Sequence, residues 1–435
     1  MRKYLKRADA RSRVADVKVE ETVRGMLAEI AAKRDAAVRR YALELDRWEG
    51  TDFRVSHEEI RRVSARLPET FKEDFDFAHK QVTEFARRQR ESLEPFEVEL
   101  QPGVWVGQRL IPMARVGCYI PGGKYPLVSA AIMSVATARA AGVEHVIGCA
   151  PPRDGEGIFP YTLYALHVSG AEDIYVLGGV QALAAMAYGC VGMGAVDLVT
   201  GPGNAYVAEA KRQLFGTVGI DFIAGPTEIC IIADSSADPA LVATDLLGQA
   251  EHGPDSPAWL ITTSEELAHA VIAEVEDQLK TLPTAATAAA AWQQHGEVVV
   301  VGDDDEAIAV SDEYAPEHLE VMVRRDSYYF ERLRNYGSLF MGEESTVAYG
   351  DKGVGTNHTL PTGKAARYTG GLWVGKFIKT VTYQRLTPEA SRRIAPIMAR
   401  LCNVEGMLAH QRTADVRYER YRPRNALEED QRASH

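Results

Sequence analysis

Paired cysteines in C-x-x-C spacing, a block of basic residues and an uninterrupted apolar stretch of membrane length are all missing from this 435-residue chain. Each absence closes a class of function. The five cysteines, Cys118, Cys149, Cys190, Cys230 and Cys402, are odd in number and widely scattered. A disulfide framework and a cysteine zinc site are therefore poor readings, and a reducing compartment fits. The formal charge is −12 at pH 7 with no long basic run, which argues against nucleic acid or an anionic membrane as partner. The longest apolar stretch, 127–143, is interrupted by Ser129, Ser134, Thr137 and Arg139, and is too short and polar to span a bilayer. The basic segment 1–16 has no apolar run behind it, so it is no secretory signal. A soluble, cytoplasmic protein is expected.

What is present is ample for packed cores: 46% of the residues are hydrophobic and 25% are charged. Residues 17–100 are charge-rich with helical spacing and predict several amphipathic helices. From about 112 onward, short apolar runs alternate with amphipathic stretches: 115–120, 145–150, 173–179 and 196–203, each followed by helix-like sequence. A second series runs through 228–234, 258–263, 297–302, 319–323 and 338–342. Alternation of this kind means βαβ units and parallel sheets, and two α/β domains are the economical account. After 343 the alternation gives way to Gly-rich loops and helices, then to a polar tail, 422–435, expected to be disordered.

Ligands of such sheets bind in the loops that leave the strands. Three Gly-rich loops qualify, at 118–126, 178–182 and 200–213. None is a G-x-G-x-x-G fingerprint, and singly each reads as a turn. Together at strand ends they make a dinucleotide site a fair hypothesis, with Asn204 placed to cap a helix whose amino end favours anions. Metal donors are dispersed: Gln249 and His252 lie three apart at a helix end, Asp351 sits in a Gly-flanked loop, and His410 ends a predicted helix at 405–410. Imidazole and oxygen donors suit zinc, yet spacing alone favours ordinary structural histidines. The adjacent Glu317 and His318, just before a strand, are the best acid–base candidates. An adjacent Glu–His is also common on surfaces.

The segment 220–256 resembles the signature of the histidinol dehydrogenase family. Six further motifs follow in family order: YIPGG (119–123), GGVQALAAM (178–186), GPGNAYVAEAKRQ (201–213), APEHLE (315–320), GDKGVGTNHTLPT (350–362) and EGMLAH (405–410). The resemblance runs over roughly 14–420. It implies an interlocked homodimer with one zinc ion per site and NAD as oxidant, taking a primary alcohol through a held aldehyde to a carboxylate with two NAD. Carried over motif by motif, it makes Gln249, His252, Asp351 and His410 the metal ligands, the last from the partner subunit. His318 becomes the base for the first hydride transfer and Glu317 the activator of water. Tyr119, Gln181 and Asn204 become NAD contacts, and Thr227, His358 and Glu405 line the substrate pocket, the latter two also from the partner. A metal hydrolase or a non-catalytic metal-binding relative on the same scaffold is the alternative class, against which the presence of Glu317, His318 and the three NAD positions argues.

Departures from the family pattern bear on the substrate. Lys352 stands where members making histidine have Tyr, Thr227 where they often have Ser, and Trp373 and Lys376 replace smaller or acidic residues. These features resemble the branch outside histidine synthesis that includes sulfopropanediol dehydrogenase, so an anionic diol is the expected substrate, with histidinol as alternative. Lys352 is expected to serve that anion if it faces the pocket. The fold class expected is α/β, with two Rossmann-like parallel-sheet domains and small helical N- and C-terminal parts. The first domain comprises 1–118 with 228–368, an NAD-binding domain is inserted at 119–227, and 369–435 forms a helical dimerisation segment and tail.

Overall fold

Strands that carry apolar residues without alternation are the ones covered on both faces. A computed structural model of the chain describes residues 2–8, 14–122 and 125–422, side chains 14–16 excepted. Gly123 and all of the polar tail after Arg422, with its expected disorder, lie outside the described residues. In chain order the strands are β1 (Lys3–Lys6), β2 (Phe96–Gln101), β3 (Val104–Pro112), β4 (Arg115–Tyr119), β5 (His145–Ala150), β6 (Asp173–Val176) and β7 (Leu198–Thr200). They continue with β8 (Gly219–Ile220), β9 (Ile229–Ala233), β10 (Ala258–Thr262), β11 (Gly296–Val300), β12 (His318–Met322), β13 (Ser338–Met341) and β14 (Ile378–Leu386). The chain divides into two compact units, 1–90 with 112–377, and 91–111 with 378 onward.

The larger unit holds two sheets. The first runs β6-β5-β4-β7-β8 and its pairs are all parallel. The second runs β1-β11-β10-β9-β12-β13, parallel except for β1 at its edge. Numbered within each series, β4 to β8 and β9 to β13 both give the order 3-2-1-4-5, so the doubly wound pattern occurs twice. The order reverses between β4 and β7 in one sheet and between β9 and β12 in the other. All five residues of β9 and of β12 are buried, as such runs require.

Helices Val14–Lys33 and Asp35–Asp46 had been expected with the first α/β domain. They cover the five-stranded sheet instead, because Val23, Met26, Ile30 and Val38 share a core with Leu183 and Val207 of the helices that follow β6 and β7. Residues 91–111 also depart from that expectation. β2 pairs antiparallel with β3, and β3 neighbours β14, so these residues form the smaller unit with helices Pro388–Val404 and Leu408–Arg420. The C-terminal segment is thus part strand. Its own core is small, with Ala395, Ala399 and Ala414 buried beside Tyr418. No helix among the described residues is long and apolar enough to cross a membrane.

Candidate active site

β4 ends at Tyr119 and β7 at Thr200, the strands between which the order of the first sheet reverses. The loops leaving them border a cavity of about 820 Å³, lined by Tyr119, Gln181, Asn204, Thr227 and His252 among others. Gly201 makes the close approach possible: its φ is 127°, and a methyl there would stand 2.1 Å from the Tyr119 carbonyl oxygen. A buried ion pair clamps the same loop. Lys211 Nζ lies 2.5 Å from Asp221 Oδ1 and donates to the Gly201 carbonyl (3.0 Å), while Asp221 Oδ2 accepts from the Gly201 amide (3.1 Å). Asn204 caps its helix as expected, Oδ1 accepting from the amides of Tyr206 and Val207 at 3.1 Å. The Tyr119 hydroxyl accepts from the Gly179 amide (3.2 Å), and burial pushes its pKa up to about 12, so it stays a neutral donor. Gln181 is 1% exposed. Its Nε2 donates to Asp46 (2.9 Å), and its Oε1 has no hydrogen-bond partner among the described residues.

The second sheet meets the site with the opposite ends of its strands. Glu228 precedes β9 and His318 opens β12, in register with Ile229. His318 Nδ1 lies 2.9 Å from the Glu228 carbonyl oxygen, which can only accept, so the proton sits on Nδ1 and Nε2 presents a lone pair. That Nε2 is buried without a hydrogen-bond partner among the described residues. Burial pulls the His318 pKa down to about 4, against the pull of Asp351, and the ring is neutral at pH 7. Glu317 Oε2 accepts from Thr227 Oγ1 (2.5 Å) and the Glu228 amide (2.9 Å). Burial nonetheless holds this carboxyl well above the usual range, aided by the charges of Glu228 and Asp351. Gln249 Nε2 donates to Thr227 Oγ1, completing a chain from Gln249 through Thr227 to Glu317. The backbone enters this pair through Ala315 in the left-handed region (φ 49°), a conformation costing about 1 kcal/mol for a residue with a side chain.

Asp351, expected in a loop, lies on the short helix Val347–Lys352. Its Oδ1 is 3.3 Å from His358 Nδ1 and 4.0 Å from His318 Nε2. Burial would raise the Asp351 pKa, but the two imidazoles outweigh it and the net shift is downward. His318, Asp351 and His358 place donor atoms within 4.8 Å of one another. His358, expected from the partner subunit, therefore stands in the chain's own cluster, because the loop after Lys352 folds the imidazole back over Gly350. Of the four expected metal ligands only Asp351 belongs to this cluster. Gln249 is buried in the last turn of helix Pro239–Ala250, and His252 lines the cavity and bears electrostatically on His318. Lys352 is exposed. Glu405 and His410 are exposed on the smaller unit; His410 lies in the first turn of Leu408–Arg420 rather than at a helix end, because Gly406 (φ 72°) breaks the preceding helix. Sequence reasoning missed Asp46, which lies in no motif, and Glu228 and Glu320, which lie inside the segments 220–256 and 315–320 but were given no role there.

A doubly wound half with an open cavity at its switch point, joined through Thr227 to the imidazole–carboxyl pair of a second such half, fits an α/β oxidoreductase. The family model "Histidinol dehydrogenase" matches residues 9–418, and the chain belongs to the histidinol dehydrogenase family. It is an enzyme of the class acting on CH–OH donors, whose family members are NAD-dependent dehydrogenases. It is 53% identical to a histidinol dehydrogenase homolog of Shouchella clausii, over 97% of this chain and 100% of that one. It is 49% identical to the sulfopropanediol 3-dehydrogenase of Ruegeria pomeroyi, over 97% of each. Among solved structures, the histidinol dehydrogenase of Elizabethkingia anophelis superposes with a TM-score of 0.87 at 34% identity, covering 95% of this chain and 94% of that one.

Proposed function

We propose that this enzyme oxidises a small anionic diol, with 2,3-dihydroxypropane-1-sulfonate as lead substrate, through an aldehyde to a carboxylate. It works in the cytoplasm as a homodimer with two NAD consumed per turnover and one zinc ion per subunit. The observation that carries the reaction is the one cavity that Tyr119, Gln181 and Asn204 share with Thr227, which in turn holds Glu317. The substrate class is supported by 49% identity to a sulfopropanediol 3-dehydrogenase against 40% to the histidinol dehydrogenase of Lactiplantibacillus plantarum.

The donor set fits a zinc-like ion. His318 Nε2 and His358 Nδ1 are buried, without hydrogen-bond partners among the described residues, and flank the Asp351 carboxylate. Of that cluster Asp351 alone would be a ligand in this reading, completed by Gln249, His252 and the partner subunit's His410, which would leave His318 Nε2 free to move a proton and His358 to line the substrate pocket. When bound, the ion supplies a Lewis acid for the substrate oxygen, and NAD takes up the hydride. His318 Nε2 accepts the hydroxyl proton, and Asp351 stabilises the imidazolium that forms. Glu317, as the carboxylate whose basicity burial raises, then takes the proton of the water that attacks the aldehyde. Each oxidation removes two electrons, and that water supplies the second oxygen of the carboxylate.

The test is NAD reduction across a panel of primary alcohols by zinc-loaded and chelated protein. The sulfonate diol should show higher kcat/KM than histidinol, and chelation should abolish turnover until zinc is returned. A preference for histidinol would replace the substrate, and no NAD reduction with any alcohol would remove the reading.

A further inference from the structure

In the 3-2-1-4-5 sheet order, the acid that accepts a ribose hydroxyl stands at the end of the second strand of the series. Here that strand is β5, and it is followed directly by Pro151, Pro152 and Arg153; the acids of its loop, Asp154 and Glu156, come later and are exposed. The carboxylate at that place comes from elsewhere. A methyl built on Gly178 would stand 2.6 Å from Asp46 Oδ1 and 2.8 Å from Pro151 Cβ, so Asp46 lies beside the residue that follows β5. Asp46 is the last residue of helix Asp35–Asp46, and it lines the same cavity as Tyr119 and Gln181.

The hydrogen bonds fix what this corner can recognise. Asp46 Oδ2 accepts from the Gly178 amide (3.0 Å) and from Gln181 Nε2 (2.9 Å). The Gly179 amide is taken by the Tyr119 hydroxyl. The Gly178 amide just before helix Gly179–Tyr188 and the helix's first amide, groups that in other βα turns cradle a phosphate, are thus already engaged, the former by a resident carboxylate. Asp46 also sets the Gln181 amide: with Nε2 held by the carboxylate, Oε1 is the atom left without a partner among the described residues, and it is buried. Turning the amide over would set oxygen against carboxylate. Asp46 Oδ1 and Gln181 Oε1 therefore offer acceptors only, which suits a ribose diol and repels a phosphate.

We propose that Asp46 is the specificity-determining residue that admits NAD and rejects NADP, acting both through its own carboxylate and through the orientation it imposes on Gln181. The inference rests on the cavity's being the dinucleotide site. Binding of NADH and NADPH to zinc-loaded wild type, Asp46→Asn and Asp46→Ser, by titration calorimetry without any alcohol, tests it directly. Steady-state kinetics with both cofactors follow. Wild type should prefer NADH strongly. Both variants should lose at least tenfold of that preference, through weaker NADH and stronger NADPH binding, with the loss in turnover falling on KM for NAD more than on kcat. Unaltered preference in both variants, folded with near-native Tm, overturns the role of Asp46, as does a wild type that takes both cofactors equally. Wild type binding neither overturns the dinucleotide reading itself, and this inference with it.

Discussion

Gly350 has no room for a side chain. A methyl there would stand 2.0 Å from His358 Nε2 and 2.1 Å from its Cε1. The ring can step aside only by disturbing its contacts with His318, on which it stacks with centroids 5.6 Å apart, and Phe340, at 5.4 Å. Gly350→Ala is expected to push His358 off Asp351 and lower kcat/KM by about 100-fold, the usual cost of an ångström of misplacement. Tm should fall by several degrees, as overpacking requires, and zinc affinity measured by chelator competition should fall. Wild-type kinetics in that variant would show that His358 has no part in the site. Lys352, one residue beyond Asp351, is solvent-facing, so any pull on an anionic substrate is screened. Substituting tyrosine there should change the ratio of anionic diol to histidinol less than tenfold.

The helix that delivers Asp351 has six residues, too few to hold its shape alone. Two acids on other elements pin its first turn: Glu320 Oε1 accepts from the Val347 amide (3.1 Å), and Asp245 Oδ1 from Thr346 Oγ1 (3.0 Å). Burial, and then the charge of Asp245, hold the Glu320 carboxyl well above its ordinary pKa. A group with a raised native pKa binds more protons folded than unfolded, so its contribution declines as pH rises above the ordinary carboxylate range. The slope is about 1.4 kcal/mol per pH unit until the native pKa is reached. Glu320→Gln removes that slope while its amide oxygen can still accept from Val347. The variant should match wild type near pH 4 and gain Tm relative to it as pH rises toward 8; a constant difference across that range would count against a protonated Glu320.

At this scale it is also clear what could be read in advance. The βαβ strands were legible because burial on both faces leaves unbroken apolar runs, as in ICIIA of β9. β1 and β14 were not: β1 is a four-residue edge strand, and most of β14 is exposed, so neither needs such a run. The Asp351 helix read as a loop because what holds it is Glu320 and Asp245, remote in sequence, and because Gly350 serves a neighbouring ring rather than a turn. The convergence of Tyr119, Gln181, Asn204, Thr227 and His252 on one cavity lay beyond spacing, since each leaves a different loop.

For the whole molecule, the smaller unit poses the main question. Behind its buried alanines it exposes Ile397, Leu401, Val404 and Leu408, apolar side chains that a second copy would cover. The proposed shared site makes this testable with His318→Ala and His410→Ala subunits, each inactive alone. After chain exchange half the dimers are mixed, each with one intact site, and activity should return to about a quarter of wild type. No recovery, with exchange verified by mass, would place His410 in its own chain's site. A last consequence follows from the repeated strand order. At the carboxyl ends of β9 and β12, where the second half has its own switch point, the Asp234 carboxylate accepts from the amides of Ser236 (2.8 Å) and Arg324 (3.0 Å). A carboxylate of the chain itself there takes amides that a nucleotide phosphate would otherwise meet. Of two look-alike halves, one is left to receive cofactor. In the proposed reaction two successive oxidations would then share a single berth, with the spent nicotinamide leaving and a fresh one arriving while the half-oxidised substrate stays in place. Retaining the aldehyde across that changeover becomes as much a task of the fold as the chemistry itself.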